Sequence, residues 1–487
     1  MRTILLLLGI ALVVLTGVLL WNTFRFDSKQ LTDVPEAPLV PVSDSVINHL
    51  SEAIQFRTVS YQESSLIDST QFEGFVSFLE KTFPLVHSQI GKERINDYAL
   101  LYEWKGSDPS LKPILMMGHY DVVPVIQGTE RMWKKAPFAG IVEDGFVYGR
   151  GTLDDKSTVM GLLEASEYLL QQNHKPRRTV YLAFGHDEEV SGHLGGRTIA
   201  QTLDKRGVHL ELVIDEGGTI KTDGVAGLTQ SIALVGIAEK GYTSVGLTAR
   251  GEGGHSSMPP PKTSIGMLAT AIDQLQKNPF ESSLKGTVGE MLRYLGPEMP
   301  FLQKLVIANQ WLTESLLVKS FASTNSGAAS THTTIAPTIL KAGIKDNVLP
   351  IDADAIINFR ILPGDSVQGV INHVKKVIDD PDIEVETLGA FDTEPSAVSS
   401  PDAPTFQALH RTIKSCYPNV LVAPYLVLGA TDSRYYRNLS ENIYRFTPYQ
   451  LDEEDLKRPH GTNERIKVGS YKEMIRFYVT LLKNTNK

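Results

Sequence analysis

A histidine and an aspartate stand two residues apart where an apolar segment ends, in the run MMGHYD at 116–121. Residues i and i+2 of an extended segment point to the same face, so His119 and Asp121 emerge together. A metal-binding imidazole is commonly held by a carboxylate that accepts its other ring N–H. The structural alternative is a strand-end histidine that hydrogen-bonds a nearby aspartate. The residue types at the other strand ends decide between a metal site and this alternative.

Three further segments carry acidic residues next to glycines. The runs GHDEE at 185–189 and DEGG at 215–218 follow apolar segments, and YGRGTLDDK at 148–156 leads into an amphipathic helix. In α/β sheets, ligands bind at the carboxyl ends of parallel strands, and glycine lets the backbone approach a ligand closely. Each cluster alone is typical of a solvated turn, but together they predict one shared site.

Strand and helix alternate in the elements that must position these residues. Strands are predicted at 99–104, 113–117, 178–184 and 210–214, with helices at 157–171 and 196–203. This order predicts an α/β fold with a mostly parallel mixed sheet flanked by helices. Residues 231–362 do not continue this regular alternation of strand and helix. Their pattern is typical of an inserted α+β domain with an antiparallel sheet. We therefore predict a discontinuous first domain, 44–230 and 363–487.

Composition limits the partners and the ligands. The chain has 487 residues, a formal net charge of -9 and 42% hydrophobic residues, which predicts a globular protein of two domains and argues against nucleic acid as a partner. Cys416 is the single cysteine, so a disulfide within the chain and a cysteine-based zinc cluster are excluded. Any metal must be held by histidine and carboxylates.

The N-terminal 26 residues are predicted to lie outside the fold. Ile4 to Trp21 carry no charge, and as a helix they would be about 27 Å long, enough to cross a bilayer. No small-x-small cleavage site follows, so a membrane anchor is favoured over a cleaved signal peptide. Flanking basic residues nearly balance and leave the orientation open. We expect the globular part on the extracytoplasmic side, tethered by a proline-containing linker at 27–43; a secreted protein is the alternative.

In chain order, the motifs resemble those of the co-catalytic zinc metallopeptidases. The matching segments are His119-x-Asp121, GTLDDK at 151–156, Glu188-Glu189, DEG at 215–217, GHSS at 254–257 and HG at 460–461. That family includes carboxypeptidase S, aminoacylase, carboxypeptidase G, acetylornithine deacetylase and succinyl-diaminopimelate desuccinylase. The residues of these motifs are most similar to those in the branches of carboxypeptidase S and of the N-fatty-acyl-amino-acid synthase/hydrolase.

The resemblance implies two Zn²⁺ ions per subunit, for which Co²⁺ or Mn²⁺ are expected substitutes. Asp154 matches the carboxylate that bridges the two ions. His119 and Asp215 would complete the ligands of the first ion, and Glu189 and His460 those of the second. The family often has a cis peptide directly after the bridging aspartate, here between Asp154 and Asp155.

The resemblance also implies catalytic roles. Two adjacent divalent ions can share a water, lower its pKa and polarise a carbonyl. Glu188 matches the general base that takes the proton of this water, and Asp121 matches the carboxylate behind His119. His255 resembles the histidine that stabilises the oxyanion, often in the neighbouring subunit, so a homodimer is one open arrangement, and the long insertion could equally replace the usual subunit contact. The structural alternative for His255 is a histidine beside a proline turn.

Three positions match residues that bind substrate in related enzymes. Asn347 and Arg360 match the groups that bind the substrate's amide and terminal carboxylate, and arginine suits bidentate carboxylate binding. The alternative for Arg360 is a surface ion pair with Asp365. Gly429 begins a segment that resembles the family's glycine-rich loop facing the substrate.

The sequence therefore predicts a dinuclear zinc hydrolase that cleaves an amide bond next to a free carboxylate. One candidate is a carboxypeptidase acting on Gly-Xaa substrates, and the other is an N-acyl (fatty-acyl) amino acid amidohydrolase/synthase. Residues 44–230 and 363–487 would form the zinc-peptidase catalytic domain, and 231–362 the lid or dimerisation domain. A serine hydrolase is disfavoured because no Gly-x-Ser-x-Gly occurs, and a non-catalytic relative because competent residues fill every matched ligand position.

Overall fold

The computed structural model describes residues 1–225, 227–389 and 392–485. The helices are α1 Arg2–Phe24, α2 Ser45–Gln55, α3 Ser69–Thr82, α4 Pro84–Gln89, α5 Lys156–Gln171, α6 Gly196–Lys205, α7 Ser264–Lys277, α8 Thr287–Leu295, α9 Phe301–Ala308, α10 Gln310–Ala322, α11 Asn325–Thr331, α12 Val367–Ile378, α13 Pro404–Cys416 and α14 Val468–Asn484. The strands are β1 Gly91–Ile95, β2 Ala99–Trp104, β3 Ile114–His119, β4 Ile141–Glu143, β5 Phe146–Tyr148, β6 Val180–Gly185, β7 Leu212–Asp215, β8 Ile220–Lys221, β9 Ile232–Glu239, β10 Gly241–Arg250, β11 Gly254–His255, β12 Thr334–Ala342, β13 Val348–Leu349, β14 Asp352–Ile361, β15 Ile383–Thr387, β16 Leu421–Val427, β17 Ile443–Arg445, β18 Gln450–Leu451 and β19 Arg465–Lys467.

The large sheet is mixed, as predicted. Its order is β1-β2-β6-β3-β7-β17-β9-β8-β18, and β16 pairs with β9. The central strands β6, β3, β7 and β17 run parallel, whereas β1–β2 and β2–β6 are antiparallel. Because the central strands share one direction, the residues that follow β3, β6 and β7 meet at one edge of the sheet.

Helix α5 lies at the centre of the main core, between the sheet and helix α14. Nearly all of its residues are buried, including Val159, Leu163 and Leu169. Such burial contributes ~1.5–3 kcal/mol for each large apolar side chain. The buried Glu167 on this helix accepts hydrogen bonds from the N–H groups of Leu85 and Val86. These N–H groups lie in the first turn of α4, where they have no partner within that helix.

A second, four-stranded sheet has the order β12-β14-β10-β15 and is antiparallel throughout. Helices α7 and α12 pack on it, and its core includes Leu247, Ile357 and Phe359. In β14 buried residues alternate with more exposed ones, which is the pattern of a sheet covered on one face. The predicted inserted antiparallel unit is therefore present.

The bounds of the inserted unit differ from the predicted 231–362. Strand β9 belongs to the large sheet, and the chain enters the small sheet between Glu239 and Gly241. It leaves after β15, whose last residue is Thr387. The apolar run 232–238 resembled half of a hairpin with β10, but it is a strand of the large sheet paired with β16. We propose 240–387 as the inserted unit.

The apolar N-terminal segment forms a single helix, α1, of 23 residues with a mean hydropathy of 2.9 in its most apolar window. None of that window is buried against the rest of the chain, and the helix is long and apolar enough to cross a membrane. Its last turns pack against α9. Helix α8 falls within 240–387 along the chain, but it packs on β16 of the large sheet, and its Tyr294 and Leu295 belong to the main core.

Candidate metal centre and active site

The carboxylate of Asp154 lies between two imidazoles. Its Oδ1 is 3.1 Å from Nε2 of His119, and its Oδ2 is 3.0 Å from Nε2 of His460. His119 is the last residue of β3, whereas His460 lies in the loop before β19 with a positive φ of 58°. One carboxylate thus faces two histidines that come from opposite ends of the chain.

Each histidine has one further carboxylate beside it. Oε1 of Glu216 is 3.2 Å from Nε2 of His119, and Oε2 of Glu189 is 3.0 Å from Nε2 of His460. In each triad, the three donor atoms lie within 4.8 Å of one another. The two triads share Asp154, so the arrangement could hold two neighbouring cations bridged by that residue.

The electrostatics of the cluster fit a cationic occupant. Burial, followed by the charge of Asp154, raises the pKa of both Glu189 and Glu216 to about 7. Hydrogen bonds with Asp154 and Glu189 raise the pKa of His460 to about 10. Oε1 of Glu189 is buried with no hydrogen-bond partner among the described residues. Imidazole nitrogens with carboxylate oxygens suit Zn²⁺, Mn²⁺ and Co²⁺, so the residues fit a metal centre.

The structure places Glu216, not Asp215, beside His119. Both carboxylate oxygens of Asp215 are engaged elsewhere, because Oδ1 accepts from the N–H of Glu216 and Oδ2 from the N–H of Ser433. Asp215 ends β7, and the longer side chain of the next residue reaches the histidine. The geometry therefore makes Glu216, rather than the predicted Asp215, the candidate ligand beside His119. Two adjacent acids after an apolar strand gave no signal for choosing between them.

Asp121 lies behind His119, where the sequence placed it. Its Oδ1 is 3.3 Å from Nδ1 of His119, and Oδ2 accepts a hydrogen bond from the hydroxyl of Ser60. Although burial opposes ionisation, the hydrogen bonds with His119 and Ser60 hold the pKa of Asp121 below its usual value. This carboxylate also accepts from the N–H groups of Glu188 and Glu189, so it ties the strand end to the β6 loop.

Glu188 belongs to neither triad. It begins a short turn after β6 and lines the large cleft together with Glu189 and His460. Burial raises the pKa of its carboxyl well above the usual range. Its carboxyl group therefore faces the cleft without being among the candidate metal ligands.

One buried carboxylate, Glu464, holds the loop that carries Asp154. Glu464 accepts from the N–H groups of Gly151, Leu153 and Asp154 at 2.8–3.2 Å. It also pairs with Arg150, whose guanidinium donates to the carbonyl of Gly461 beside His460. Sequence reasoning missed this contact, although Glu464 stands four residues after His460. The peptide between Asp154 and Asp155 is cis, as the resemblance predicts.

The cleft has a volume of about 1440 Å³ and separates the candidate metal ligands from part of the inserted unit. Glu188, Arg360 and Gly429 line it, and the guanidinium of Arg360 lies 4.9 Å from the ring centroid of Tyr242. Burial lowers the pKa of Arg360. Asp365, which the sequence offers as an ion-pair partner for Arg360, accepts a hydrogen bond from the hydroxyl of Thr333. Of the three predicted substrate-binding positions, Arg360 and Gly429 thus face the cleft.

Two predicted residues lie elsewhere. His255 and Asn347 are exposed at a small ribbon in which β11 pairs with β13, and neither is among the described residues that line the cleft. The N–H of Ser256 donates to the carbonyl of Asn347, and the N–H of Ser257 donates to Nδ1 of His255. Within one chain, the structure does not bring these residues to the metal ligands.

Two histidine–carboxylate triads that share a carboxylate at the edge of a mixed α/β sheet could hold two cations, which is an arrangement that metal-dependent hydrolases use. The model of Peptidase family M20/M25/M40 matches residues 115–484, and this chain belongs to that family. The family is metal-dependent and comprises peptidases and amidohydrolases, so the chain is an enzyme of this type.

Proteins related to this chain are named either as carboxypeptidases or as N-fatty-acyl-amino acid synthase/hydrolases. Probable carboxypeptidase S-like 2 of Dictyostelium discoideum is 40% identical over 99% of this chain and 93% of its own length. The N-fatty-acyl-amino acid synthase/hydrolase PM20D1 of Homo sapiens is 41% identical over 90% of this chain and 87% of its own length.

Solved structures share the fold. The M20 family metallo-carboxypeptidase Sso-CP2 from Sulfolobus solfataricus has a TM-score of 0.65 at 20% identity, covering 91% of this chain and 99% of that chain. The YXEP protein of Bacillus subtilis, a dinuclear metal binding peptidase from the M20 family, has a TM-score of 0.56 at 13% identity, covering 91% and 98%.

Proposed function

We propose that this protein hydrolyses an amide bond next to a free carboxylate, as a carboxypeptidase of the Gly-Xaa type with two metal ions. The observation that carries the proposal is the pair of triads that share Asp154 at the edge of a cleft lined by Glu188 and Arg360. The name of the carboxypeptidase S-like relative supports the substrate class.

The five proposed ligands divide between two metal ions. His119 and Glu216 would hold one ion, Glu189 and His460 the other, and Asp154 would bridge them. When bound, two such ions lower the pKa of a shared water and polarise the scissile carbonyl. Zinc is the proposed metal because an N/O donor set of this kind is usual for it.

The remaining residues supply proton transfer and substrate binding. Glu188 lies in the cleft and outside both triads, so its carboxylate is free to take a proton from water and donate it to the leaving amine. Arg360 would bind the substrate's free carboxylate with its planar guanidinium. The backbone at Gly429, which has open space around it, would face the substrate.

His255 and Asn347 would act from a partner subunit. Both are exposed and lie away from the cleft of their own chain. Strand β12 is an edge strand of the small sheet and exposes Ile339 and Leu340, which favours pairing with a second copy. In such a homodimer, His255 would stabilise the oxyanion in the partner's cleft, and Asn347 would bind the substrate's amide there.

The second candidate is hydrolysis, or synthesis, of N-fatty-acyl amino acids. The cleft of about 1440 Å³ exceeds the ~300–1,000 Å³ that is usual for small ligands and could accept a long acyl chain. The name of the 41% identical human relative points the same way. Both candidates share the metal site, the base and the carboxylate-binding arginine.

The proposal also assigns a role to the apolar N-terminal helix α1. Helix α1 would be an uncleaved anchor with the enzyme on the extracytoplasmic side, and a secreted form after cleavage is the alternative. Carbonate extraction of membranes and N-terminal sequencing of the isolated protein distinguish the two.

A substrate panel tests the reaction. Purified protein is stripped with a chelator, reloaded with Zn²⁺, and given Gly-Xaa dipeptides, N-acetyl amino acids and N-oleoyl amino acids, with release of the amino acid as the readout. We expect release that depends on metal and is fastest with dipeptides. Preference for N-oleoyl amino acids would replace the first candidate by the second, and release from none would contradict both.

A further inference from the structure

We infer that an apolar patch formed by the end of α1 and by helices α9 and α10 lies in the lipid–water interface of the bilayer that α1 crosses. The inference rests on the proposed anchor but concerns a different part of the chain. The patch, called the interfacial patch below, consists of Trp21, Phe301, Leu302, Trp311, Leu312 and Leu316.

The side chains of the patch are unusually exposed for their size. Leu302 is 75% exposed, Trp311 62% and Leu316 57%. Large apolar residues scattered singly on a surface need no explanation, but these six lie on three helices that pack on one another, α1 with α9 and α9 with α10, and a group of this kind marks an interaction site. Leu312 and Leu316 are four residues apart on α10 and therefore share one helix face.

Contacts with α1 fix the patch at the end of the membrane helix. The side-chain amide of Asn309, between α9 and α10, donates to the carbonyl of Leu19 at 3.1 Å. The amide of Asn22 donates to Oδ1 of Asn309, and the rings of Phe24 and Phe301 lie 6.2 Å apart. The span from Leu19 to Phe24 is about 8 Å along a helix. If α1 crosses a bilayer, α9 and the start of α10 therefore lie at the level where it leaves the hydrocarbon.

The residues around this junction are those favoured at a lipid–water boundary. Trp21 and Trp311 line one surface cavity together with Arg25 and Arg293. The guanidinium of Arg25 lies 5.3 Å from the ring centroid of Trp21. Tryptophan is enriched at both membrane interfaces, and long basic side chains extend from apolar surface towards the headgroups. A bilayer therefore accounts for the tryptophans and for Arg25, whereas the guanidinium of Arg293 is ion-paired with Glu290 and Asp402.

Helix α10 also has a polar exposed side, which provides a control. Glu314 is exposed two residues from Leu312 and from Leu316, so at 100° per residue it lies on roughly the opposite side of the helix. Leu317 is buried against the rest of the chain. The inferred orientation thus places Leu316 in lipid and Glu314 in water.

Site-directed fluorescence tests the orientation in the full chain. Leu316→Cys, Glu314→Cys and Leu8→Cys are each labelled with bimane; the native Cys416 is buried and stays protected. Each protein is reconstituted into vesicles of phosphatidylcholine and phosphatidylglycerol that contain a phosphatidylcholine with a nitroxide near the headgroup end of its acyl chain. We expect a blue shift and the loss of most fluorescence at position 316, and little change at 314.

The Leu8 label separates the two proposals. Quenching of a label at position 8 by a nitroxide deeper in the acyl chain, without quenching at 316, would leave the anchor standing and overturn the interfacial patch. Equal quenching at 314 and 316 would also overturn it, because the orientation of α10 would then be wrong. Absence of quenching at position 8 would contradict the anchor itself. Leu312→Cys, also in the patch and on the same face of α10 as Leu316, should repeat the result at 316.

Discussion

At the scale of single residues, two adjacent glutamates have different surroundings. Glu189 lies 3.0 Å from His460 in a triad, whereas Glu188 faces the cleft outside both triads. Glu188→Gln should lower kcat by about 10²–10⁴-fold, because the amide cannot accept the water's proton, while metal content stays unchanged. Glu189→Gln is the matched control and should lose metal. Loss of metal from the Glu188 variant instead would mean that the two roles are interchanged.

The neighbouring acids Asp215 and Glu216 make a second pair. Glu216→Gln should lower bound metal from two ions to about one per chain, because ligand loss weakens one site. Asp215→Asn should keep both ions but lower the free energy of unfolding by about 1–3 kcal/mol, since one of its two N–H partners would face an amide NH₂. Elemental analysis and thermal unfolding measure these effects. Equal metal loss in both variants would restore Asp215 as a ligand.

At the scale of elements, Glu464 joins two loops that come from distant parts of the chain. It accepts from three N–H groups of the Asp154 loop and pairs with the buried Arg150 at 2.6 Å. Glu464→Gln should weaken metal affinity about 10–100-fold and destabilise the fold by about 3–5 kcal/mol, because it leaves a buried guanidinium without its counter-charge. Glu93→Gln, which breaks the exposed pair with Arg206, should change stability by less than about 1 kcal/mol. Similar effects of both variants would contradict a loop-joining role.

Helix α13 carries a buried histidine that should make stability depend on pH. His410 is fully buried, neither ring nitrogen has a hydrogen-bond partner among the described residues, and burial lowers its pKa to about 4. The unfolded chain takes up this proton near pH 6.5 and the folded chain only near pH 4, so stability is complete above pH 6.5 and falls between these values. The loss at pH 4 is about 3 kcal/mol. His410→Leu should flatten the pH dependence of the free energy of unfolding by this amount, measured by denaturant titration at pH 4 and pH 7, and an unchanged profile would contradict it.

The sequence predicted most of the elements because apolar periodicity reports directly which face is buried. The central strands and α5 follow from it, and so does the meeting of His119, Asp154 and Glu189 at one sheet edge. It could not predict which of two adjacent acids reaches the metal site, since that depends on where β7 ends. Nor could it place β9 in the large sheet, because its partner β16 is far along the chain. The exposed positions of His255 and Asn347 likewise depend on how the inserted unit is oriented.

At the scale of the whole molecule, one ion pair connects the surroundings of the interfacial patch with the cleft. The guanidinium of Arg293, which lines the cavity beside the patch, donates to Asp402 at 2.9 Å, and Asp402 lines the cleft. An amphiphilic substrate dissolved in the bilayer would therefore leave it close to one wall of the cleft.

This proximity predicts that the patch matters for lipid-like substrates and not for soluble ones. The triple variant Leu302→Ser, Leu312→Ser and Leu316→Ser should slow hydrolysis of vesicle-borne N-oleoyl amino acids by about tenfold or more, because polar side chains replace three leucines that would contact lipid. Hydrolysis of N-acetyl amino acids by the same proteoliposomes should not change, since these substrates reach the cleft from water. Rates measured on both substrates at one protein concentration provide the comparison. An equal loss on the two would show that the substitutions disturb the enzyme itself, and an unchanged rate on N-oleoyl amino acids would show that the substrate does not arrive through the membrane face.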